Sequence, residues 1–322
     1  MKHVIQITFA LISTLFCLAG RSQNSLQQKA DSLFYIEQQH KGPGVAISVY
    51  QNGKMLYQNQ MGYALLEHRI PISDSSVFLV GSISKQFTSF SILLLEKEGK
   101  LSIDDPITKY LPELSEMEYT ISIRHLASHT SGFRNNYDLN YLRGRTDEDL
   151  MSQSDMVSLL LQQKGLNFTP GDRFQYCNAG YTLLAEIVSR VSGMSFSDFV
   201  QTNIFQPLEM QNSQFLEDPT HLIMNKVSSY YLSEDGYHYY PMNRTVVGST
   251  GLYTTTEDLI KWHQNFEHYK IGDPDIFSKM IAPSLLNSGQ KIPYGLGLET
   301  KVYRGVRVVF HGGGDAGFRA DR

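Results

Sequence analysis

The segment Phe78-Leu79-Val80-Gly81-Ser82-Ile83-Ser84-Lys85 places a hydroxyl and an ammonium three residues apart at the head of an apolar stretch. Beyond it, Ile83, Phe87, Phe90 and Leu94 recur at three- and four-residue steps, and Gly99 stands where such a helix would end. Positions i and i+3 share one helical face, so the Lys85 nitrogen can reach the Ser82 oxygen. A serine hydroxyl is a weak nucleophile until a neighbouring base takes its proton. Lysine can be that base once burial and nearby positive charge draw its pKa from about 10.4 toward neutrality. Amides at a helix N-terminus favour negative charge on the serine oxygen. The tetrapeptide alone says little, because Ser288-Gly289-Gln290-Lys291 repeats its spacing. Context separates the two: Ser82 opens an apolar helix, whereas Ser288 falls in a glycine-containing loop.

Two further groups complete a possible catalytic set. Tyr176-Cys177-Asn178 follows the turn Pro170-Gly171-Asp172 and precedes Ala179-Gly180 and a helix, so a loop can present Tyr176 to a cleft. A phenol near a lysine ammonium ionises more easily, so Tyr176 can accept a proton and later donate it. Asn178 can hold Lys85 and bond a substrate amide. Tyr50-Gln51-Asn52 and Tyr57-Gln58-Asn59 share the spacing but fall on a predicted hairpin. His311-Gly312-Gly313-Gly314 ends the last predicted strand; its glycines admit a substrate backbone and bare their amides as oxyanion donors. His311 can position Tyr176 or bind a substrate's carboxylate, although His40-Lys41-Gly42 shows that the spacing also arises elsewhere. Cys177 reads as a packed small residue, not a nucleophile.

The rest of the chain sets the frame. With 322 residues and 41% hydrophobic content, it can bury one large core or two sub-domains sharing a cleft. A net charge of −4 without a basic run argues against a nucleic-acid partner. Val45 to Tyr50 and Lys54 to Met61 flank Asn52-Gly53, a strong hairpin signal, and Tyr294 to Tyr303 and Val306 to Phe310 read as strands. Helices are predicted at Ala30–Gln39, Ile123–Ser128, Asp155–Gln162, Gly180–Ser192, Phe196–Ile204 and Thr256–Phe266. The layout predicts an α/β fold of the α+β type. An antiparallel sheet built from both chain ends, about 41–75 and 292–322, is flanked by helices, with a large helical insertion over about 82–285 and a cleft between them.

At the N-terminus, Lys2 and His3 precede a mostly apolar stretch from Val4 to Gly20, followed by small residues. This is a signal-peptide pattern over 1–22, with cleavage between Ala19 and Gln23 and a mature domain over 23–322. Export to the periplasm or medium follows, with no stable membrane span after cleavage; an uncleaved anchor is the alternative. Cys17 lacks the small residue before it that a lipoprotein signal needs, so cleavage leaves Cys177 alone and no internal disulfide. His125 and His129 stand four apart, a spacing that can bind zinc, but Leu126 follows His125 where a metalloprotease has Glu, so a helix-packing pair is expected. No Gly-x-Ser-x-Gly elbow is present. Neither a metal nor a cofactor is expected.

Taken in order, Ser82-x-x-Lys85, Tyr176-x-Asn178 and His311-x-Gly313 resemble the serine β-lactamase family. The closest branch holds the class C enzymes, D-Ala-D-Ala carboxypeptidases and esterase-like hydrolases of the penicillin-binding-protein fold. Phe78 to Lys85, Ile121 to Gly132, Phe168 to Tyr181, Ile204 to Met210 and Gly248 to Asp258 also look like family signatures. The resemblance implies that Ser82 is the acylated nucleophile and that Lys85 and Tyr176 share the base and acid roles. It further implies that Asn178 orients Lys85 and substrate, that His311 and Gly313 line the substrate site, and that the amides of Ser82 and Gly314 form the oxyanion hole. Substrates would be esters, D-amino-acid peptides (cell-wall peptides included) or β-lactams. The alternative is a penicillin- or peptidoglycan-binding sensor that acylates without turnover.

Two departures bear on this reading. His311 replaces the Lys of Lys-Thr-Gly, and a mostly neutral imidazole anchors a β-lactam carboxylate poorly; this favours a peptidase or esterase. Cys177 replaces the more usual Ser. The family also continues past this strand with two strands and a helix, so the sequence reads as truncated at its C-terminus. Uncovered sheet edges then predict low stability and little activity for 24–322.

Overall fold

The computed structural model describes residues 27–33 and 41–322, with 27–33 helical. The predicted signal peptide and the end of the predicted Ala30–Gln39 helix lie outside the described residues. The chain divides between Ser76 and Val77 into two compact units. Among the described residues no helix is long and apolar enough to cross a membrane.

In the first unit, Val45–Gln51 and Lys54–Met61 pair antiparallel from Val45↔Met61 to Gln51↔Lys54. Asn52 and Gly53 both take positive φ, 48° and 77°, as a two-residue hairpin turn demands. Tyr63–Leu65 and Ile70–Pro71 make a smaller antiparallel pair.

The second unit is built around the helix predicted after Ser82. Phe78–Leu79 is an edge of a three-stranded antiparallel sheet, with Leu252–Thr254 in the middle and Gln214–Phe215 beyond. The chain leaves this sheet through a 3-10 turn, Gly81–Ile83, that runs into the α-helix Ser84–Lys97. Phe87 and Phe90 are buried and meet Trp262 of the Thr256–His268 helix at ring-centroid distances of 4.6 and 5.1 Å. Such aromatic pairs add about 1 kcal/mol beyond the area they bury. The Asn178–Ser192 helix packs on the Ser84–Lys97 helix, where the Tyr181 and Ser89 hydroxyls meet at 3.2 Å, and also on the short helix Ile123–Ala127. Gly180 permits that approach: a Cβ there would stand 2.7 Å from the Leu126 carbonyl oxygen.

Buried hydroxyls tie the 248–252 segment to the Ser84–Lys97 helix. Ser84 Oγ donates to the Gly81 carbonyl (2.6 Å) and accepts from the Leu252 N–H (3.2 Å), while Thr88 donates to the Gly248 carbonyl (2.9 Å). Removing either would leave buried backbone groups unpaired, at about 1–3 kcal/mol each.

Near the C-terminus two readings are corrected. The strand expected from Tyr294 starts only at Glu299, pairing with Val306–Phe310. Residues 294–298 instead run through the interior, where the Leu296 N–H bonds the Met280 carbonyl (2.9 Å) and a Cβ on Gly297 would stand 2.7 Å from the Lys85 carbonyl. The glycines do not end the last strand either. Gly312–Asp315 is itself a strand and pairs with Phe318–Asp321 across a turn where Ala316 has φ 46°. It lies on the Gly81–Ile83 turn so closely that a Cβ on Gly313 would collide with the Val80 carbonyl and stand 3.2 Å from the Ser82 nitrogen. The fold is the expected mixture of antiparallel sheets and many helices. Asn136–Leu142 and Pro274–Ile281 are additional helices.

Candidate active site

Lys85 is fully buried, and its Nζ meets three acceptors: Ser82 Oγ at 2.8 Å, Asn178 Oδ1 at 2.8 Å and the Ser249 carbonyl at 2.7 Å. Each partner arrives on a different element: the tight turn before the Ser84–Lys97 helix, the first residue of the Asn178–Ser192 helix, and the segment that Ser84 and Thr88 hold down. Burial draws the Lys85 pKa down to about 7, against the opposing pull of Asp315. As an ammonium, Lys85 uses all three hydrogens. As a neutral amine it keeps two, which the fixed carbonyls of Asn178 and Ser249 can take, and its lone pair is left facing the Ser82 hydroxyl. Ser288, the other Ser-x-x-Lys serine, is exposed in a turn, where it accepts the Gln290 N–H at 3.3 Å.

Tyr176 lies alongside, with Lys85 Nζ 4.9 Å from its ring centroid. The residue as a whole remains 40% exposed. The expected easing of its ionisation is corrected: burial raises the phenol well above its ordinary value, and a hydrogen bond with Ser82 only partly opposes this. Tyr176 therefore keeps its proton at rest, and the Lys85 amine is the group placed to accept one from Ser82. Cys177 is buried, its thiol is pushed up to about 11 by burial, and Sγ donates to the Phe133 carbonyl (3.3 Å). It has the environment of a packing residue.

His311 is 2% exposed and both of its ring nitrogens are engaged. Nδ1 lies 2.6 Å from the Gly312 carbonyl and must carry the hydrogen, so Nε2 accepts from the Tyr294 hydroxyl at 3.0 Å. Burial, then repulsion from Lys85, lowers its pKa to about 4. A neutral ring with no free nitrogen does not fit the anticipated carboxylate anchor. It stands 6.1 Å from the Tyr176 ring and supports that wall of the site.

The anticipated packing pair also separates. His125 stays on the Ile123–Ala127 helix, exchanging two 3.2 Å bonds with Ser122 in a capping box. His129 lies beyond the helix end in the left-handed region (φ 59°), which costs a non-glycine residue about 1 kcal/mol. Its ring lies 4.2 Å from that of Tyr176, and Nδ1 accepts the Cys177 N–H at 3.1 Å. Sequence reasoning missed His129, Tyr294 and Ser249 as site residues. A histidine beside a hydroxyl-rich turn was the available signal for the first; Ser249 lies in the Gly248 to Asp258 signature stretch but meets Lys85 through its carbonyl, which no side-chain type marks.

On the other side of Ser82 is a cavity of about 480 Å³ lined by Asn178, Ser249, Gly314 and a charged wall that includes Arg244 and Asp315. Gly81 and Gly313 press the Gly312–Asp315 strand onto the serine turn; a Cβ on Gly81 would stand 2.8 Å from the Gly314 nitrogen. This brings the two backbone segments of the anticipated oxyanion hole into contact.

A family model described as Beta-lactamase matches residues 26–321. The chain belongs to the β-lactamase family. Among its relatives in that family is a D-aminopeptidase from Gluconobacter oxydans (strain 621H), 30% identical over 282 residues, which are 87% of this chain and 53% of the relative. This β-lactamase-family chain thus spans about half the length of the curated relatives it matches. Its fold is similar to an octameric penicillin-binding protein homologue from Pyrococcus abyssi (TM-score 0.76, 25% identity, 89% of this chain and 68% of the other). It is also similar to a penicillin-binding protein from Bacillus halodurans (TM-score 0.74, 26% identity, 87% and 86%).

Proposed function

We propose that this chain is a serine hydrolase that cleaves amides of D-amino acids or short D-amino-acid peptides through an acyl-enzyme on Ser82. The observation that carries the reading is the buried Lys85 amine, near pKa 7 and 2.8 Å from Ser82 Oγ. Neutral Lys85 takes the Ser82 proton as Oγ attacks the substrate carbonyl. The resulting oxyanion is held by the Ser82 and Gly314 amides, donors of a kind worth about 3 kcal/mol each. As the C–N bond breaks, Tyr176 gives its proton to the leaving nitrogen and regains one from the Lys85 ammonium. Water then cleaves the ester, passing a proton to the same base. The similarity to D-aminopeptidases supports the substrate class. A cell-wall peptide as substrate and an exported location belong to the same proposal, resting on the leader-like first 22 residues.

The test is hydrolysis of D-alanine p-nitroanilide, an N-acyl-D-Ala-D-Ala peptide, a p-nitrophenyl ester and nitrocefin. Multiple turnovers lost in Ser82→Ala and kept in Ser288→Ala are expected. One stoichiometric acylation without turnover would point instead to a sensor, and activity lost only in Ser288→Ala would overturn the assignment.

A further inference from the structure

We infer that a second, smaller cavity of this chain binds a free α-amino acid with a small aliphatic side chain, away from Ser82. The cavity, of about 110 Å³, is lined by the Asn136–Leu142 and Gln153–Leu161 helices and the segment that joins them. It shares no lining residue with the catalytic cavity, which Tyr137 and Tyr141 serve from another face of the Asn136–Leu142 helix. The inference does not depend on the hydrolase reading above.

Local sequence builds the cavity. Gly144, at φ 80°, turns the chain back after the Asn136–Leu142 helix, and the Arg145 N–H reaches the Asn140 carbonyl at 3.2 Å. Arg143 and Arg145 are thereby held at the exposed mouth. Asp155, in the first turn of the Gln153–Leu161 helix, lines the same mouth and is also exposed. Met151 and Met156, each 1% exposed, form an apolar floor.

The ligand's chemistry follows from groups that the protein leaves unmatched. Neither the Arg143 guanidinium nor the Asp155 carboxylate has a partner among the described residues, and the two do not pair with each other. Arg145 gives one hydrogen to the Leu150 carbonyl (3.1 Å) and keeps the rest. Asn140, which is 6% exposed and lines the cavity, holds a buried Nδ2 with no partner among the described residues. A buried donor in that state is costly until an acceptor reaches it. The cavity thus offers donors for a carboxylate and, separately, an acceptor for an ammonium. A lone anion would meet Asp155 as a like charge, and a lone cation would meet two guanidiniums. A zwitterion answers both signs, and its carboxylate gains charge-assisted bonds from the guanidiniums. Its side chain then rests on the methionines, whose flexible thioethers adapt to small aliphatic groups.

Calorimetric titration of the unaltered protein with D-alanine, L-alanine, acetate and methylammonium tests this. Saturable binding of at least one alanine enantiomer is expected, with acetate and methylammonium each weaker by about 10-fold or more. Arg143→Gln and Asp155→Asn should each weaken alanine binding by about 10-fold or more. Both side chains are at the surface, and cooperative melting of each variant is checked first. No saturable alanine binding, acetate binding as tightly as alanine, or an affinity unchanged in either variant overturns the site.

Discussion

The Tyr294 hydroxyl donates to Nε2 of His311 across 3.0 Å, deep in the second unit. That bond joins the segment crossing behind Lys85 to the residue just before the Gly312–Asp315 strand. Tyr294→Phe leaves a buried acceptor unpaired and is expected to lower stability by about 1–3 kcal/mol, read as a lower denaturant midpoint. Because Tyr294 acts through His311 and the Tyr176 wall, kcat should fall more than KM changes.

His311 also makes a prediction about pH. Its pKa is about 4 folded and about 6.5 unfolded, so between those values only the unfolded chain takes up the proton. Stability therefore falls as pH drops from 6.5 to 4, by up to about 3 kcal/mol from this group. His129, also held well below its ordinary value, acts in the same direction. Urea midpoints across this range should fall less steeply in His311→Gln than in the unaltered protein; equal slopes would refute the assignment.

The glycines of the third motif are not equivalent. Gly313→Ala has no room and should both destabilise the protein and reduce turnover by about 100-fold or more through the displaced oxyanion amides. Gly314→Ala meets only the Arg319 side chain, at 3.7 Å, and should be far milder. Measuring acylation rates of the two variants decides between them.

The Cys177 thiol should resist alkylation at pH 8 in the folded protein and react once denatured, as peptide mapping by mass spectrometry would show. Rapid native labelling would contradict its placement.

Much of the site was legible because its parts lie on elements with strong local signals. Ser82 and Lys85 head a helix with a clear apolar period, and Asn178 opens another, so the spacing of each pair survives folding. The behaviour of Tyr176 and His311 was not legible. Their proton affinities are set first by burial, with the Ser82 hydroxyl acting on Tyr176 and Lys85 on His311, and burial by distant segments carries no local mark. The Tyr294–Leu298 segment looks like strand by composition but is bent by glycines packed on Met280 and Lys85. The Asn136–Leu142 helix buries Asn136 and Asn140 rather than an apolar stripe, so periodicity could not find it. Pro274–Ile281 was findable: Asp273 accepts the Ile276 N–H at 3.0 Å with proline at the first helical position.

The central claim is that Lys85, neutral near pH 7, is the base for Ser82, and the rate of Ser82 acylation by a fluorophosphonate between pH 5 and 9 tests it most directly. The rate should climb about tenfold per pH unit below about 7 and level off above it, and Lys85→Ala should be slower by about 100- to 10,000-fold with that limb gone. A profile that rises only near pH 10, or a Lys85→Ala protein that acylates at the original rate, would contradict the account.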